Sequence, residues 1–233
     1  MDPTPIENTP ATPLIEVALK RMKHAIVACE LLPGTKLKVD ALSKAYGLSS
    51  SPIREALNRL TQEGVVTAFE NRGFRVAPVT MRDFDEICRL RILLESEALK
   101  DAMELGDDAW EGNVLAAFHR LSALEKKLGP DPVALSDDWT ARHKTFHFAL
   151  FSACRAPLLL NLIDSLFDRA ERYRRYSALH RLSPRHKSGE HRNLMNAVLA
   201  RDKEKALELH RKHIVGTRNR LAEVLERQSA TLQ

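Results

Sequence analysis

Residues 49–79, SSSPIREALNRLTQEGVVTAFENRGFRVAPV, decide how the N-terminal part of this chain folds. Ser51 followed by Pro52 marks a helix start, because a serine hydroxyl accepts from an orphan backbone N–H and proline's fixed φ suits the first helical position. Ile53, Ala56, Leu57 and Leu60 then recur at i, i+3, i+4 and i+7, so one face packs inward. The opposite face carries Ser51, Arg54 and Asn58, side chains able to reach phosphates and base edges from within a major groove. After Gly64 two extended runs, VVTAFE and FRVAPV, flank Asn71-Arg72-Gly73. That predicts a hairpin with a cationic tip at Arg72 and a flexible Gly73, suited to a minor groove or a row of phosphates.

A structural helix and hairpin with surface arginines would explain this stretch alone. The residues before it favour the other reading. KVDALSKAYGL, residues 38–48, has the short amphipathic helix, the glycine turn and the apolar Leu48 that a helix-turn-helix needs ahead of its second helix. The run ELLPGTKLKVDALSKAYGLSSSPIREALNRLTQEGVVTAFENRGFRVAPV resembles the winged helix-turn-helix of GntR-type bacterial transcription regulators, with PGTKL, LSKAYGLS, SPIREAL, RL followed by EG, and NRGFRV in order. The resemblance implies operator-DNA contacts from Lys38, Ser49, Ser50, Ser51, Arg54, Asn58, Arg72 and Gly73. Where that family carries Ser-Arg before its proline pair this chain has Ser50, so a contact is missing or is supplied by Lys36, Lys38 or Arg59.

At 233 residues the chain is long enough for two domains. The expected division is a flexible tail over 1–12, a DNA-binding domain over 13–79 and a helical domain over 80–227. A formal charge of +5 and a pI near 9.2 agree with a polyanionic partner and equally with a solvated charged surface. Cys29, Cys88 and Cys154 are odd in number, widely spaced and set among apolar residues, which predicts reduced core thiols in a cytoplasmic protein. The first residues lack an apolar leader, and no long uncharged apolar run offers a membrane span. A first helix is expected from residue 13 to 29, with Ile15, Ala18, Leu19, Met22, Ile26 and Cys29 on one face, ended by Pro33-Gly34.

Beyond Thr80 the apolar periodicity is helical, over about 82–105, 108–127, 136–153, 157–177, 182–200 and 203–227. The predicted fold is therefore mainly α: a winged helix-turn-helix followed by an all-α bundle of about six helices. On the third bundle helix Trp139, His143, Phe146, His147, Leu150 and Cys154 form one stripe, with the two histidines a turn apart. His191 shares a face with Leu194, Met195 and Val198, and His213 one with Ala206, Leu209 and Thr217. One inward histidine is ordinarily hydrogen-bonded; four in an apolar bundle call for a divalent transition metal. His24, His119, His180, His186 and His210 are expected at the surface. On the first bundle helix Arg91 shares a stripe with Ile87, Leu94 and Ala98, and Glu95 stands one turn on. Either the two form an i,i+4 ion pair, or the Arg91 guanidinium faces a central cavity and grips a carboxylate. Tyr173 and Arg174, from ERYRRY, are further candidates for that pocket, with most of the arginine cluster expected in solvent.

RLRILLESEAL, HKTFHFAL, GEHRNLMNAVLARDKEKA and LHRKHI resemble the effector-binding helical domain of the FadR-like branch of GntR regulators, over nearly all of residues 80 to 225. The resemblance implies a metal held by His147, His191 and His213, with His143 at the position where the family has an aspartate, and a small carboxylate completing the coordination. An all-imidazole set favours zinc, with nickel or copper next, over manganese. A second departure is Ala156-Pro157 in place of the family's Asn-Pro. DDWTARHKTFH is similar to the glutarate-responsive repressors of the branch, a slight pointer to a C5 dicarboxylate. The whole predicts a homodimeric, ligand-responsive repressor on a pseudo-palindromic operator. The competing class is a metal-dependent enzyme on the same histidines. It needs a general base, and the sequence has no HExxH; Glu190, beside His191, is expected to point away from that face.

Overall fold

The computed structural model describes residues 13–69, 73–128, 136–181 and 188–231. The expected tail over 1–12, the hairpin-tip residue Arg72 and His186 lie outside the described residues. The chain divides into two compact units, residues 1–78 and 79–233.

The first unit runs α1 (Leu14–Val27), β1 (Lys36–Leu37), α2 (Val39–Tyr46), α3 (Ser50–Gln62), β2 (Val66–Phe69) and β3 (Gly73–Val76). The inward face of α3 meets α1 in one core, where Ile53, Ala56, Leu57, Leu60, Ala18 and Met22 are buried. A Leu or Ile buried this completely contributes about 1.5–3 kcal/mol. Helix α1 stops before the predicted Pro33-Gly34. Cys29 takes φ 61°, and the N–H groups of Glu30 and Leu31 return to Ala25 O at 2.9 and 3.0 Å, a left-handed turn closing the last helical carbonyls. Helix α3 starts two residues sooner than predicted. Its N-cap is Ser49 in extended conformation with no side-chain cap hydrogen bond, and burial of Pro52 beside Ile53 fixes the chain's entry in place of a Ser51 cap. Between α2 and α3 Gly47 adopts φ 68°, the left-handed cap that a tight helix-helix turn requires.

The predicted hairpin forms with Val66 opposite Val76 and Phe69 opposite Gly73. A third strand, not expected from the sequence, joins them. The two-residue β1 pairs with β3, Lys36 opposite Arg75 and Leu37 opposite Phe74, giving an antiparallel sheet in the order β1-β3-β2.

The second unit contains six helices among the described residues: α4 (Met81–Leu105), α5 (Asp108–Leu128), α6 (Asp137–Phe151), α7 (Pro157–Leu179), α8 (Ser188–Leu199) and α9 (Lys203–Thr231). Hydroxyl caps start two of them: Thr80 accepts from the Asp83 N–H at 3.2 Å and Ser136 from the Trp139 N–H at 3.3 Å. α4 packs on α7 and α9, α5 on α6 and α8, and α8 on α9. The main core runs through Trp139, Phe146, Leu150, Leu121, Val198 and Leu99. A smaller cluster around Phe84, Cys88, Ala170 and Leu221 closes one side. All three cysteines are buried and free, and burial pushes the Cys88 thiol up to about 11, leaving it protonated and inert.

Candidate functional site

In the N-terminal unit the outer face of α3 stands clear of the core. Ser49, Ser50, Ser51, Arg54 and Asn58 are all exposed, as are Lys36, Lys38 and Gly73. Arg59 is a poor substitute for the missing family arginine, since its guanidinium is held by Glu16 at 2.6 Å and Glu55 at 3.3 Å. Arg75, which the sequence reading passed over, is exposed on β3 directly opposite Lys36 and donates to Gly34 O at 3.1 Å. Like charges facing one another across a ladder disfavour the sheet unless an anion lies over them.

In the C-terminal unit the four predicted histidines come together. One ligand-capable atom from each of His143, His147, His191 and His213 lies within 4.8 Å of all the others. α6 supplies two rings a turn apart, whose Nε2 atoms stand 3.1 Å from each other. α8 brings His191, with ring centroids 5.1 Å from His143 and 5.6 Å from His147, and α9 brings His213, 5.0 Å from His147 and 5.1 Å from His191. His143, His147 and His191 are buried and His213 is partly so. Around an ion bound at about 2.0–2.1 Å, neighbouring nitrogens stand roughly 3.0–3.4 Å apart, and the α6 pair meets that spacing. The buried Nδ1 of His147 makes no hydrogen bond. Burial first, and then the neighbouring His213 and His191, press the His147 ring well below the usual imidazole range, so it is the neutral form that ligates metals. The donor set fits a divalent transition metal, with imidazole nitrogen favouring zinc, nickel or copper.

Beside the rings is a cavity of about 20 Å³, whose lining includes Arg91, His143, Phe167, Glu171, Arg174 and His213. Arg91 forms the ion pair with Glu95 and lines the cavity as well. Its Nε donates to Glu95 Oε1 at 2.5 Å and its Nη2 to Oε2 at 3.3 Å, while the guanidinium also lines the cavity and lies 4.8 Å over the Phe167 ring. Arg174 lines it too; its Nε donates to Glu171 at 2.6 Å and its Nη2 to Thr140 at 3.0 Å, leaving a buried Nη1 without a partner. Tyr173 is not among the lining residues: it stacks on Phe84 at 4.7 Å with the planes 12° apart.

Two expectations need correction. The arginines of ERYRRY are not in solvent: Arg172, Arg174 and Arg175 are buried, and Glu171 in the same run holds Arg174 and Arg175. His210 is not a surface residue. It is fully buried, with Nε2 3.0 Å from Glu95 Oε2, so Glu95 sits between His210 and Arg91. The signal was available, because 206, 210, 213 and 217 are spaced i, i+4, i+7 and i+11 and must share a face. Glu190, expected to point away from His191, does meet a histidine, with Oε2 3.1 Å from His213 Nδ1.

Residues 14–76 match the family described as bacterial regulatory proteins, gntR family, and residues 86–216 match the FCD domain. The chain is a GntR-family transcription regulator of the FadR-like, FCD-containing architecture. Regulators of this family bind operator DNA and typically dimerise, and the relatives are regulators rather than enzymes. An HTH-type transcriptional regulator named BphR, from Paraburkholderia xenovorans (strain LB400), is 37% identical over 212 residues, 91% of this chain and 86% of the relative. The HTH-type transcriptional repressor GlaR of Escherichia coli (strain K12) is 35% identical over 198 residues, 83% and 89% of the two chains. The solved structure of E. coli McbR/YncC superposes with a TM-score of 0.66 at 25% identity, covering 95% of this regulator and 98% of that chain. Among the described residues no helix is long and apolar enough to cross a membrane.

Proposed function

We propose that this regulator is a homodimeric repressor, released from its operator by a small carboxylate that binds beside a divalent metal in the helical domain. One observation carries the reading: four imidazoles from three helices converge within 4.8 Å, next to a cavity lined by two arginines. His143, His147, His191 and His213 would hold the metal, with zinc the preferred ion and nickel the alternative. A bound ion supplies positive charge for a carboxylate to coordinate. Arg91 and the unpartnered Nη1 of Arg174 supply fixed donors for a second anionic group, which favours a short dicarboxylate, of which glutarate is one. The repressor sense is supported by the E. coli relative GlaR, an HTH-type transcriptional repressor.

The size of the cavity supplies the coupling. About 20 Å³ has room for little more than one water, so a C4–C6 diacid needs the helices around it to move. A ligand shifts an equilibrium only as far as its affinities for the two arrangements differ, and one excluded from the closed arrangement has that difference built in. At the other end, Lys38, Ser49, Ser50, Ser51, Arg54 and Asn58 would contact operator DNA from α3 and its approach, and Gly73 with Arg72 from the wing. Lys36 and Arg75, facing each other on the sheet, belong to the same surface.

The test combines elemental analysis with operator titrations in the presence of C3–C6 mono- and dicarboxylates. Wild-type protein should carry one equivalent of metal, and one diacid should release the operator. His147→Ala combined with His191→Ala should carry none; retained metal would show the ligands to be wrong. Arg91→Ala should bind operator normally and respond weakly, whereas full induction would reduce Arg91 to its ion pair with Glu95. Arg54→Ala should weaken operator binding and lower its salt slope by about one unit if the contact is to phosphate.

A further inference from the structure

We infer that Glu190, a carboxylate outside the ring of histidines, is a positioning residue for the cation: it engages the Nδ1 edge of His213 and so commits Nε2 of that ring to the shared centre, while Glu125, 3.7 Å from Nδ1 of His191, biases that ring through its charge alone. The inference rests on the metal reading above. An imidazole has two nitrogens and can give a metal only the one without a proton, so a carboxylate at one edge selects the tautomer that ligates through the other and increases its basicity.

Glu190 lies in the first turn of α8 with its side chain 42% exposed, yet its Oε2 reaches 3.1 Å from Nδ1 of His213 on α9, a ring only 9% exposed. Glu125 comes from α5 and is 12% exposed. Its Oε1 accepts from the Trp139 indole N–H at 3.1 Å and stands 3.7 Å from His191 Nδ1. Trp139 in turn stacks on His143 at 4.4 Å, with planes 17° apart, so one indole braces a ligand ring on its face and the carboxylate facing another ligand at its edge.

Charge points the same way. Four neutral imidazoles bring no anion to a divalent cation. The other buried carboxylates near the cavity are already matched, Glu95 by Arg91 and Glu171 by Arg174 and Arg175. Glu190 and Glu125 sit behind the ligands and carry two negative charges, equal and opposite to those of the ion. Glu190 adjoins His191 in sequence, but its partner is a ring on the next helix.

The test uses the full chain and zinc alone. Zinc affinity is measured by competition with a chromophoric chelator for wild type, Glu190→Gln, Glu125→Gln and the double variant, with circular dichroism to verify folding. Imidazole tautomers are read from ¹⁵N shifts of labelled histidines. Glu190→Gln should bind zinc about 10–100-fold more weakly. Glu125→Gln should lose less, because that carboxylate stands 3.7 Å from its ring, beyond hydrogen-bond reach. In zinc-loaded wild type His213 and His191 should carry the proton on Nδ1, and Glu190→Gln should lose that preference at His213 while leaving His191 unchanged. A purely structural role would not produce this ring-by-ring change. Folded variants that bind zinc as tightly as wild type, or a His213 that ligates through Nδ1, would overturn the inference while leaving the metal site standing. If wild type takes up no zinc, the metal reading fails first and this role with it. Should Glu125→Gln not fold, the exposed Glu190 decides.

Discussion

Glu171 shows how one residue decides whether its neighbours can be buried at all. Its carboxylate accepts from Arg174, from Arg175 Nε at 3.0 Å and from the Thr140 hydroxyl at 3.1 Å, and Arg175 reaches Asp137 as well. Burial alone would raise the Glu171 carboxyl, but the charge of Arg174 and the hydrogen bonds from Arg174 and Arg175 outweigh it and hold the group below the ordinary carboxylate range. A carboxylate depressed in the folded state stabilises fully above its unfolded value, about 4.3, and that contribution drains away as pH falls from there towards the folded value. Glu171→Gln should therefore cost about 3–5 kcal/mol at pH 7, because it strands buried guanidinium charge, or a fall of about 6–20 °C in the melting temperature of the helical unit. Thermal unfolding at pH 7 and below pH 4 checks both parts: the gap between variant and wild type should narrow in acid, and an unchanged gap would mean that Glu171 is not the group that titrates. The same site shows what could be read at this scale. His143 and His147 were legible because i,i+4 spacing beside Trp139 and Leu150 leaves only an inward face. ERYRRY is deceptive in sequence because three arginines in six residues look solvated, whereas the glutamate at the head of the run supplies the pairing that lets Arg174 and Arg175 be buried. Glu125 and Glu190 were out of reach of any spacing argument, since each meets a ring on a different helix.

Elements were legible in proportion to their length. The bundle helices, most of them fifteen residues or more, repeat their apolar period several times, whereas β1, two residues long, has no period to detect and is fixed only by pairing with β3. Helix ends were less visible than helix middles. α1 ends through the left-handed Cys29, an uncommon conformation for a side chain with a Cβ, which nothing in the local composition announces. Gly47 is the opposite case. A glycine between an amphipathic turn and Leu48 predicts a left-handed cap, and φ 68° is found there with open space around the missing Cβ. Gly47→Ala thus introduces backbone strain and no clash, about 1–2 kcal/mol. Hydrogen exchange of full-length protein should show amide protection in α2 and α3 falling about 5–30-fold, with α5 and α6 unaffected. Equal protection in the variant would show that this turn relaxes at no cost and that the angle between α2 and α3 does not depend on glycine.

For the whole molecule, the decisive fact is how the chemistry divides between the units. Every residue proposed to touch DNA lies before Pro78, and every proposed metal or effector group lies after Val79. The join between them is short, and each unit has its own buried core. A cation held by four side chains of one unit stabilises that unit by mass action, about 4 kcal/mol when free ion exceeds its dissociation constant a thousandfold. For a unit of this size that corresponds to about 8–16 °C in melting temperature. Calorimetry of the full chain, zinc-loaded and then stripped with chelator, should resolve the effect. The transition belonging to the helical unit should fall by that amount, while the transition of the winged unit should stay in place and non-specific DNA affinity should be retained, since no proposed ligand comes from residues 1–78. His147→Ala should melt where stripped wild type melts and be insensitive to chelator. If chelation moves both transitions together, the two units unfold as one and the metal is coupled to the DNA reader through more than dimer geometry. If it moves neither, the four rings are held by something other than an ion, and the proposed carboxylate would have to be bound by Arg91 and Arg174 alone.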